Sequence, residues 1–358
     1  MTKYIFLFIT ILFSCDMKNS LREPKAEKIE KELTIHGDTR IDEYYWLNQR
    51  DDKKVIDYLN AENSYRDNYM KDYQNLEEEI FLEIKSRIKE DDSSVPYLDN
   101  GYYYYTRYEK DKQYPIYCRK KGSLEADEEI LIDVNLMSEG YEYFRVGDIE
   151  ISPDDKIMAY SVDTLSRRIY TIHFMDLKTR EVHTNNIKNT SGSITWANDN
   201  KTIFYNIRNA KTLRSEKVMK HKLNSSSKDK EVYFEEDETF SVYNYKTKTD
   251  KYIVIGSSAT LSQEFRYLDA NNPDGDFKIF QERVKGLEYS ISHFNNKWFI
   301  RTNKDGATNF KLMVCDENNT TSNKWNNYLE HREDVLLENV DFFKNHMVIM
   351  ERERGLRK

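Results

Sequence analysis

Polar turn residues and short apolar runs alternate along this chain with a long, regular period. Turn marks fall at Asp99-Asn100-Gly101, Pro153-Asp154-Asp155, Asn198-Asp199-Asn200, Thr249-Asp250-Lys251, Asn295-Asn296 and Lys344-Asn345. An apolar or aromatic run follows each mark, over residues 102–105, 157–160, 202–205, 252–255, 297–300 and 346–350. The marks recur at roughly 45 to 54 residues, and short strands at that spacing predict the blades of a β-propeller. The first repeat predicts three strands (101–107, 115–119, 129–134), the second to fifth predict four each, and the sixth predicts two (338–343, 346–351). In the second repeat these are 148–152, 157–162, 170–176 and 182–185. The competing all-β arrangement is a pair of β-sandwich domains; groups of four strands favour the blade.

Ahead of the β region the pattern is helical. Residues 35–47 read as an extended arm. Residues 51–73 place Val55, Leu59, Tyr65 and Tyr69 on one broad face. A second helix follows with Asn75 as its expected N-cap and Glu78 in capping-box position. It carries Leu76, Ile80, Ile84 and Ile88 every fourth residue, with Phe81 beside them, and ends in Lys89-Glu90-Asp91-Asp92. That charge run is a solvated helix end or a hinge between arm and propeller.

Composition narrows the picture. Apolar residues make up 38 % and aromatics 13 % of 358 residues, enough for a packed core despite 33 % charged residues. The net charge of -8, from 63 acidic and 55 basic residues, argues against a nucleic-acid partner. Cys118 and Cys315 lie in strand-like runs of different repeats and read as buried thiols, without a disulfide framework or a Cys-x-x-Cys pair.

The N-terminus reads as a targeting segment. Lys3 is the positive flank, residues 4–13 the apolar stretch and Leu12-Phe13-Ser14-Cys15 its end. The stretch is too short to span a bilayer as a helix but suits a signal peptide. Cys15 after Leu-Phe-Ser resembles a bacterial lipoprotein signal, which makes Cys15 the expected lipid-bearing residue. Simple secretion and a buried N-terminal strand are the alternatives. Residues 16–34 are polar and read as a flexible tether.

Longer words in the chain carry a family resemblance. His36-Gly37-Asp38-Thr39-Arg40-Ile41-Asp42-Glu43-Tyr44-Tyr45-Trp46-Leu47 resembles the N-terminal arm of the prolyl oligopeptidase family. Arg87-Ile88-Lys89-Glu90-Asp91-Asp92-Ser93-Ser94-Val95-Pro96-Tyr97 and Lys112-Gln113-Tyr114-Pro115-Ile116-Tyr117-Cys118-Arg119 resemble its oligopeptidase B branch. So do Ser152-Pro153-Asp154, Ala159-Tyr160-Ser161-Val162-Asp163, Ile255-Gly256-Ser257-Ser258, Lys285-Gly286-Leu287-Glu288-Tyr289-Ser290 and His331-Arg332-Glu333-Asp334-Val335-Leu336-Leu337. The resemblance implies an arm, a seven-bladed propeller that filters short peptides, and a C-terminal α/β-hydrolase domain with a Ser-Asp-His triad. For the branch it implies cleavage after Lys or Arg.

No Gly-x-Ser-x-Gly nucleophile turn occurs in the sequence. Gly256-Ser257-Ser258-Ala259-Thr260 lacks the second Gly and follows a strand, so no catalytic residue is assigned. His331-Arg332-Glu333-Asp334 reads as a turn between blades, Asp274-Gly275-Asp276 as a hairpin turn, and the tyrosines of 102–105 as interblade packing rather than a peptide path. The seven His are scattered, and neither metal nor cofactor is expected.

The expected fold is mainly β: an incomplete seven-bladed propeller of about five blades plus the start of a sixth, after a short helical arm, with the α/β-hydrolase domain absent. The expected division is 1–15 lipoprotein-type signal, 16–34 tether, 35–92 arm with two helices and 93–358 propeller. The expected function is the gating portion of an oligopeptidase B-like serine endopeptidase, inactive as this fragment, exported and held in the cell envelope by its lipid. Its expected partners are short peptide substrates and the hydrolase domain, with membrane contact only through the lipid anchor. The alternative is a non-catalytic, lipid-anchored propeller that binds a peptide or protein.

Overall fold

A computed structural model of the protein describes residues 22–225 and 227–358. Cys15 and the apolar stretch before it lie outside the described residues. The chain forms two compact units, which meet in sequence between Lys89 and Glu90.

The first unit opens with strand β1 (Lys31–Ile35) paired antiparallel to β2 (Asp38–Asp42). Between them His36 and Gly37 both take positive φ, 53° and 80°, as a two-residue type I′ hairpin turn requires. The stretch read as extended therefore starts by folding back, and β1 reaches into the stretch read as tether. Helix α1 (Lys53–Met70) is capped by Asp52, whose carboxylate accepts from the Lys54 N–H. Helix α2 (Gln74–Ser86) corrects the capping-box expectation: its N-cap is Tyr73, without a side-chain bond, and Asn75 lies inside the helix. The reason is local. Met70, Lys71, Tyr73 and Gln74 all stay in the right-handed helical region, so the extended conformation that an N-cap side chain needs never arises. Of the expected apolar face of α1 only Val55 is buried, while Leu59 and Tyr69 and the α2 row of Leu76, Ile80 and Ile84 are exposed.

The second unit is a propeller of small antiparallel sheets. Blade one is β3 (Tyr97–Asp99), β4 (Tyr102–Arg107), β5 (Ile116–Lys121) and β6 (Glu128–Asp133). A helical turn, α3 (Val134–Met137), leads to β7 (Arg145–Ile151), β8 (Ile157–Asp163) and β9 (Tyr170–Asp176) of blade two. The long strand β10 (Ile187–Trp196) serves two blades. Ile187 and Thr190 pair with β9, and Ile194–Trp196 pair with the next strand, β11 (Thr202–Arg208), after a register shift. Asn189 (φ 61°) and Gly192 (φ 97°) make the bend. A side chain at Gly192 would sit 2.9 Å from the Tyr170 ring, so the crossing needs glycine. Blade three continues with β12 (Ser215–Lys222) and β13 (Lys230–Phe234).

Blade four is β14 (Ser241–Lys246), β15 (Tyr252–Ala259), β16 (Ser262–Asp269) and β17 (Lys278–Gln281). Blade five is β18 (Tyr289–Phe294), β19 (Lys297–Thr302), β20 (Lys311–Asp316) and β21 (Asn326–Leu329). Three strands of a sixth follow: β22 (Val335–Phe342), β23 (Met347–Glu353) and β24 (Leu356–Arg357). Two strands extend the sequence reading, β3 in the first blade and β24 in the sixth. The outer strand of blade two is also displaced, from 182–185 to the start of β10, with Val182 keeping a single bridge to Met175.

The core is distributed between blades. Five apolar clusters occupy the five junctions between consecutive blades. The one between blades four and five is aromatic, with Trp298 fully buried among Tyr252, Tyr267 and Phe280. Between blades three and four a buried carboxylate adds a polar tie. Glu235 is 4 % exposed, and accepts from Arg283 Nη2 at 2.6 Å, from the Tyr233 hydroxyl at 2.8 Å and from the Ser257 hydroxyl. Burial alone would raise its pKa; the Arg283, Ser257 and Tyr233 hydrogen bonds outweigh it and hold the group down at about 2.

A carboxyl held below its unfolded value stabilises the fold above the ordinary carboxylate range, and that contribution disappears as pH falls toward 2. Glu235→Gln should therefore lower the unfolding free energy by roughly 3 kcal/mol at pH 7, and the difference from the parent should shrink steadily below pH 4. Urea unfolding across pH measures both. A variant as stable as the parent at pH 7 would show that the tie is idle.

Candidate functional site

Residues from all six turn marks line two cavities. Each mark ends the first strand of its blade, and these strands converge on shared cavities. Asn100, Asp155, Asn200, Asp250, Asn295 and Asn296 all take positive φ there, a conformation that Asn and Asp adopt more readily than other non-glycine residues. Neighbouring turns are pinned together. The Asn100 amide donates to Asp155 Oδ2 at 2.6 Å, the Asn198 amide to the Asp250 carbonyl at 2.8 Å, and Thr249 Oγ1 lies 2.7 Å from His293 Nδ1. Phe294 and Phe342 stack at 5.5 Å between blades five and six.

Two cavities share the stretch Tyr245 to Lys248 on blade four. The first, about 740 Å³, is walled by blades one to four and carries Asp99, Asp148, Glu150, Asp155 and Asp250. Asp148 accepts from the Ile194 and Ile149 N–H groups at 3.0 Å each, joining blades two and three. Burial pushes its carboxyl up while these backbone bonds pull it down, for a net rise. Glu150 is pushed above the usual carboxylate range by the enclosing wall and then by Asp148 nearby, with Lys246 opposing. The Glu150 side chain is exposed, so solvent screening tempers the shift. Lys246 Nζ itself donates to Asn198 Oδ1 at 3.1 Å and lies 3.8 Å from Asp250.

The second cavity, about 580 Å³, lies at the turns of blades four to six, with Phe294, Phe342, Phe343, Lys248 and Lys344 in its wall. His293 backs it, 5 % exposed. Its Nε2 lies 2.6 Å from Glu317 Oε1 and its Nδ1 2.7 Å from the Thr249 hydroxyl, which can donate to the neutral ring. Burial lowers the His293 pKa, and Glu317 only partly restores it. The rim is thus sorted by charge, carboxylates mainly toward blades one and two and free lysines toward blades four and six.

The residues singled out in the sequence fall as follows. Ser257 is buried, 1 % exposed, and donates to Glu235. Its neighbour Gly256 lies against Tyr243, where an added Cβ would sit 2.4 Å from the ring. Ser257 is a packing residue, as its lack of a nucleophile turn implied. Cys118 and Cys315 are buried free thiols. The Asn309 N–H donates to His331 Nε2 and its side-chain amide donates to the Arg332 and Glu333 carbonyls, making that segment a blade connector. Gly275 closes a turn on the Asn272 carbonyl between β16 and β17. Tyr104 packs between blades one and two and also reaches the first cavity. Sequence reasoning gave Glu150 and Lys248 no role and took Lys344 only as part of a turn mark. Their signal was position in or near the turn marks, which acquires meaning only once neighbouring blades bring those turns together.

Comparison with known proteins fixes the class. Residues 24–358 match the family model described as prolyl oligopeptidase, N-terminal beta-propeller domain. The chain belongs to the prolyl oligopeptidase family, whose members among its homologues are serine peptidases. It is 36 % identical to dipeptidyl aminopeptidase BI of Pseudoxanthomonas mexicana, over 98 % of this chain and 52 % of that protein. Oligopeptidase B from Leishmania major superposes with a TM-score of 0.87 at 31 % identity, over 94 % of this chain and 50 % of the other. Oligopeptidase B from Trypanosoma brucei, solved with covalently bound antipain in a closed form, gives a TM-score of 0.83 at 27 % identity, over 94 % and 50 %. The chain spans about half the length of these relatives, and their catalytic domain lies outside the span matched.

A His whose folded pKa is depressed stabilises the fold above its unfolded value near 6.5, and stability falls as pH drops below it. Thermal melts should therefore show a loss of stability between about pH 6.5 and 5 that His293→Gln reduces. An unchanged slope in that variant would remove His293 as the source.

Proposed function

We propose that this chain is the arm-and-propeller portion of an exported serine peptidase that hydrolyses short peptides, with the channel rim controlling which chains reach the catalytic half. The observation that carries the proposal is the cavity walled by the turns of blades one to four, in a chain whose family is that of prolyl oligopeptidases. A rim of pinned turns admits a thin, flexible peptide and excludes a folded domain. Cleavage after Lys or Arg is part of the proposal. Its support here is the carboxylate wall of Asp99, Asp148, Glu150, Asp155 and Asp250, which favours basic chains. Antipain bound to the Trypanosoma brucei relative shows a peptide-type ligand on that enzyme.

Catalysis would use the triad that the resemblance places on the hydrolase domain. Serine attack forms an acyl-enzyme, histidine is the general base, and backbone donors stabilise the oxyanion. The described residues offer no such constellation, and the 358-residue chain alone should not turn over an Arg-containing fluorogenic peptide. Turnover abolished by a serine-directed probe would overturn that assignment.

Export and anchoring through Cys15 complete the proposal, supported by Lys3, the apolar stretch 4–13 and the Leu12-Phe13-Ser14-Cys15 sequence. In a bacterial host, the chain should incorporate radiolabelled palmitate and fractionate with membranes, and Cys15→Ser should abolish both. Label retained in the variant would place the lipid elsewhere or nowhere on this motif.

A further inference from the structure

The second cavity has a character of its own. Its wall is apolar and aromatic, from Ile291, Phe294, Val340, Phe342 and Phe343. Phe294 and Phe342 stack, and Phe299 closes behind them with its ring 4.3 Å from Phe342. At the opening stand Lys248 and Lys344, both solvent-exposed. Among the described residues neither has a carboxylate partner. Lys248 Nζ instead rests 3.7 Å from the centre of the Phe343 ring, a cation–π contact that parks the ammonium over the apolar wall. One carboxylate, Asp341, shares the lining and is engaged by the Asn339 amide at 3.2 Å, which leaves the lysines in excess. Lys246, the third lysine of the wall, is already engaged by Asn198 and Asp250.

We propose that this cavity binds the free C-terminal carboxylate of a short peptide between Lys248 and Lys344, with an apolar terminal side chain against Phe294 and Phe343. Charge complementarity selects the occupant. Two unpaired ammonium groups over an apolar floor match a carboxylate attached to an apolar group. The wall continues along Tyr245 to Lys248 into the carboxylate-lined cavity, which favours a chain carrying positive charge further along and disfavours a simple fatty acid. The site would hold a peptide by its C-terminus at the rim and leave its N-terminus free in the channel. This deepens the peptide-filter reading but is measured by binding, without turnover, so either can fail alone.

The test uses a tetrapeptide ending in Phe, labelled at its N-terminus, and fluorescence anisotropy with the purified chain. The free acid should bind at least about tenfold more tightly than the same peptide as a C-terminal amide, and the preference should weaken as salt is raised. Lys248→Gln with Lys344→Gln should bring the acid down to the level of the amide and leave the amide unchanged. Thermal melts should match the parent, because both lysines are exposed. Equal binding of acid and amide, no binding of either, or an unaffected double variant overturns the proposal. Displacement of the acid by decanoate at equal affinity would overturn it in favour of a lipid.

Discussion

Everything in the propeller follows from one constraint: a four-stranded sheet is apolar on both faces and too small to bury either by itself. Each blade is covered only by its neighbours, so the core is a series of interblade seams. Trp298 illustrates the rule. It belongs to β19 of blade five, yet its ring lies against Tyr252 and Tyr267 of blade four. Burial of such a side chain contributes a few kcal/mol only while the adjacent blade is in place, which couples each blade to the next. The strands obey the same demand. β15 is buried from Tyr252 to Ser257 without alternation, because both of its faces are interior.

That constraint explains what could be read before any coordinates. The repeat was legible because each blade needs the same parts in the same order, and because its first turn calls for left-handed residues such as Asn100, Asp155, Asn200 and Asp250. What escaped reading has no periodic signal of its own. β3 is three exposed residues, Tyr97–Asp99, with no burial alternation, and its last residue belongs to the turn mark itself. The outer strand of blade two moved because the chain must bend at Asn189 and Gly192 to enter blade three, a tertiary demand without local period. Asn75 and Glu78 have the right spacing for a cap, but the helical run through Lys71–Tyr73 leaves nothing to cap. The site was the least legible part. Glu150, Lys248 and Lys344 sit in different blades, and only the convergence of first strands sets them around common cavities.

Polar contacts across the seams have a different role from apolar ones. The apolar clusters resist separation of the blades. Directional bonds between turns, such as Asn100 to Asp155 and Asn198 to the Asp250 carbonyl, fix the register of one blade on the next. The buried Glu235–Arg283 tie acts likewise between blades three and four, with the Arg283 guanidinium stacked 3.6 Å from the Phe240 ring centre.

The same division of labour leaves the rim free to carry chemistry. Turn residues at the channel are held by their own backbone and by one neighbour, while the apolar seams lie deeper along the strands. Charge at the rim can therefore vary without disturbing the seams. Lys248 shows the boundary between the two regimes: its backbone belongs to the turn after β14, while its ammonium rests on Phe343 in the turn after β22. The contact joins blade four to blade six across the turn of blade five.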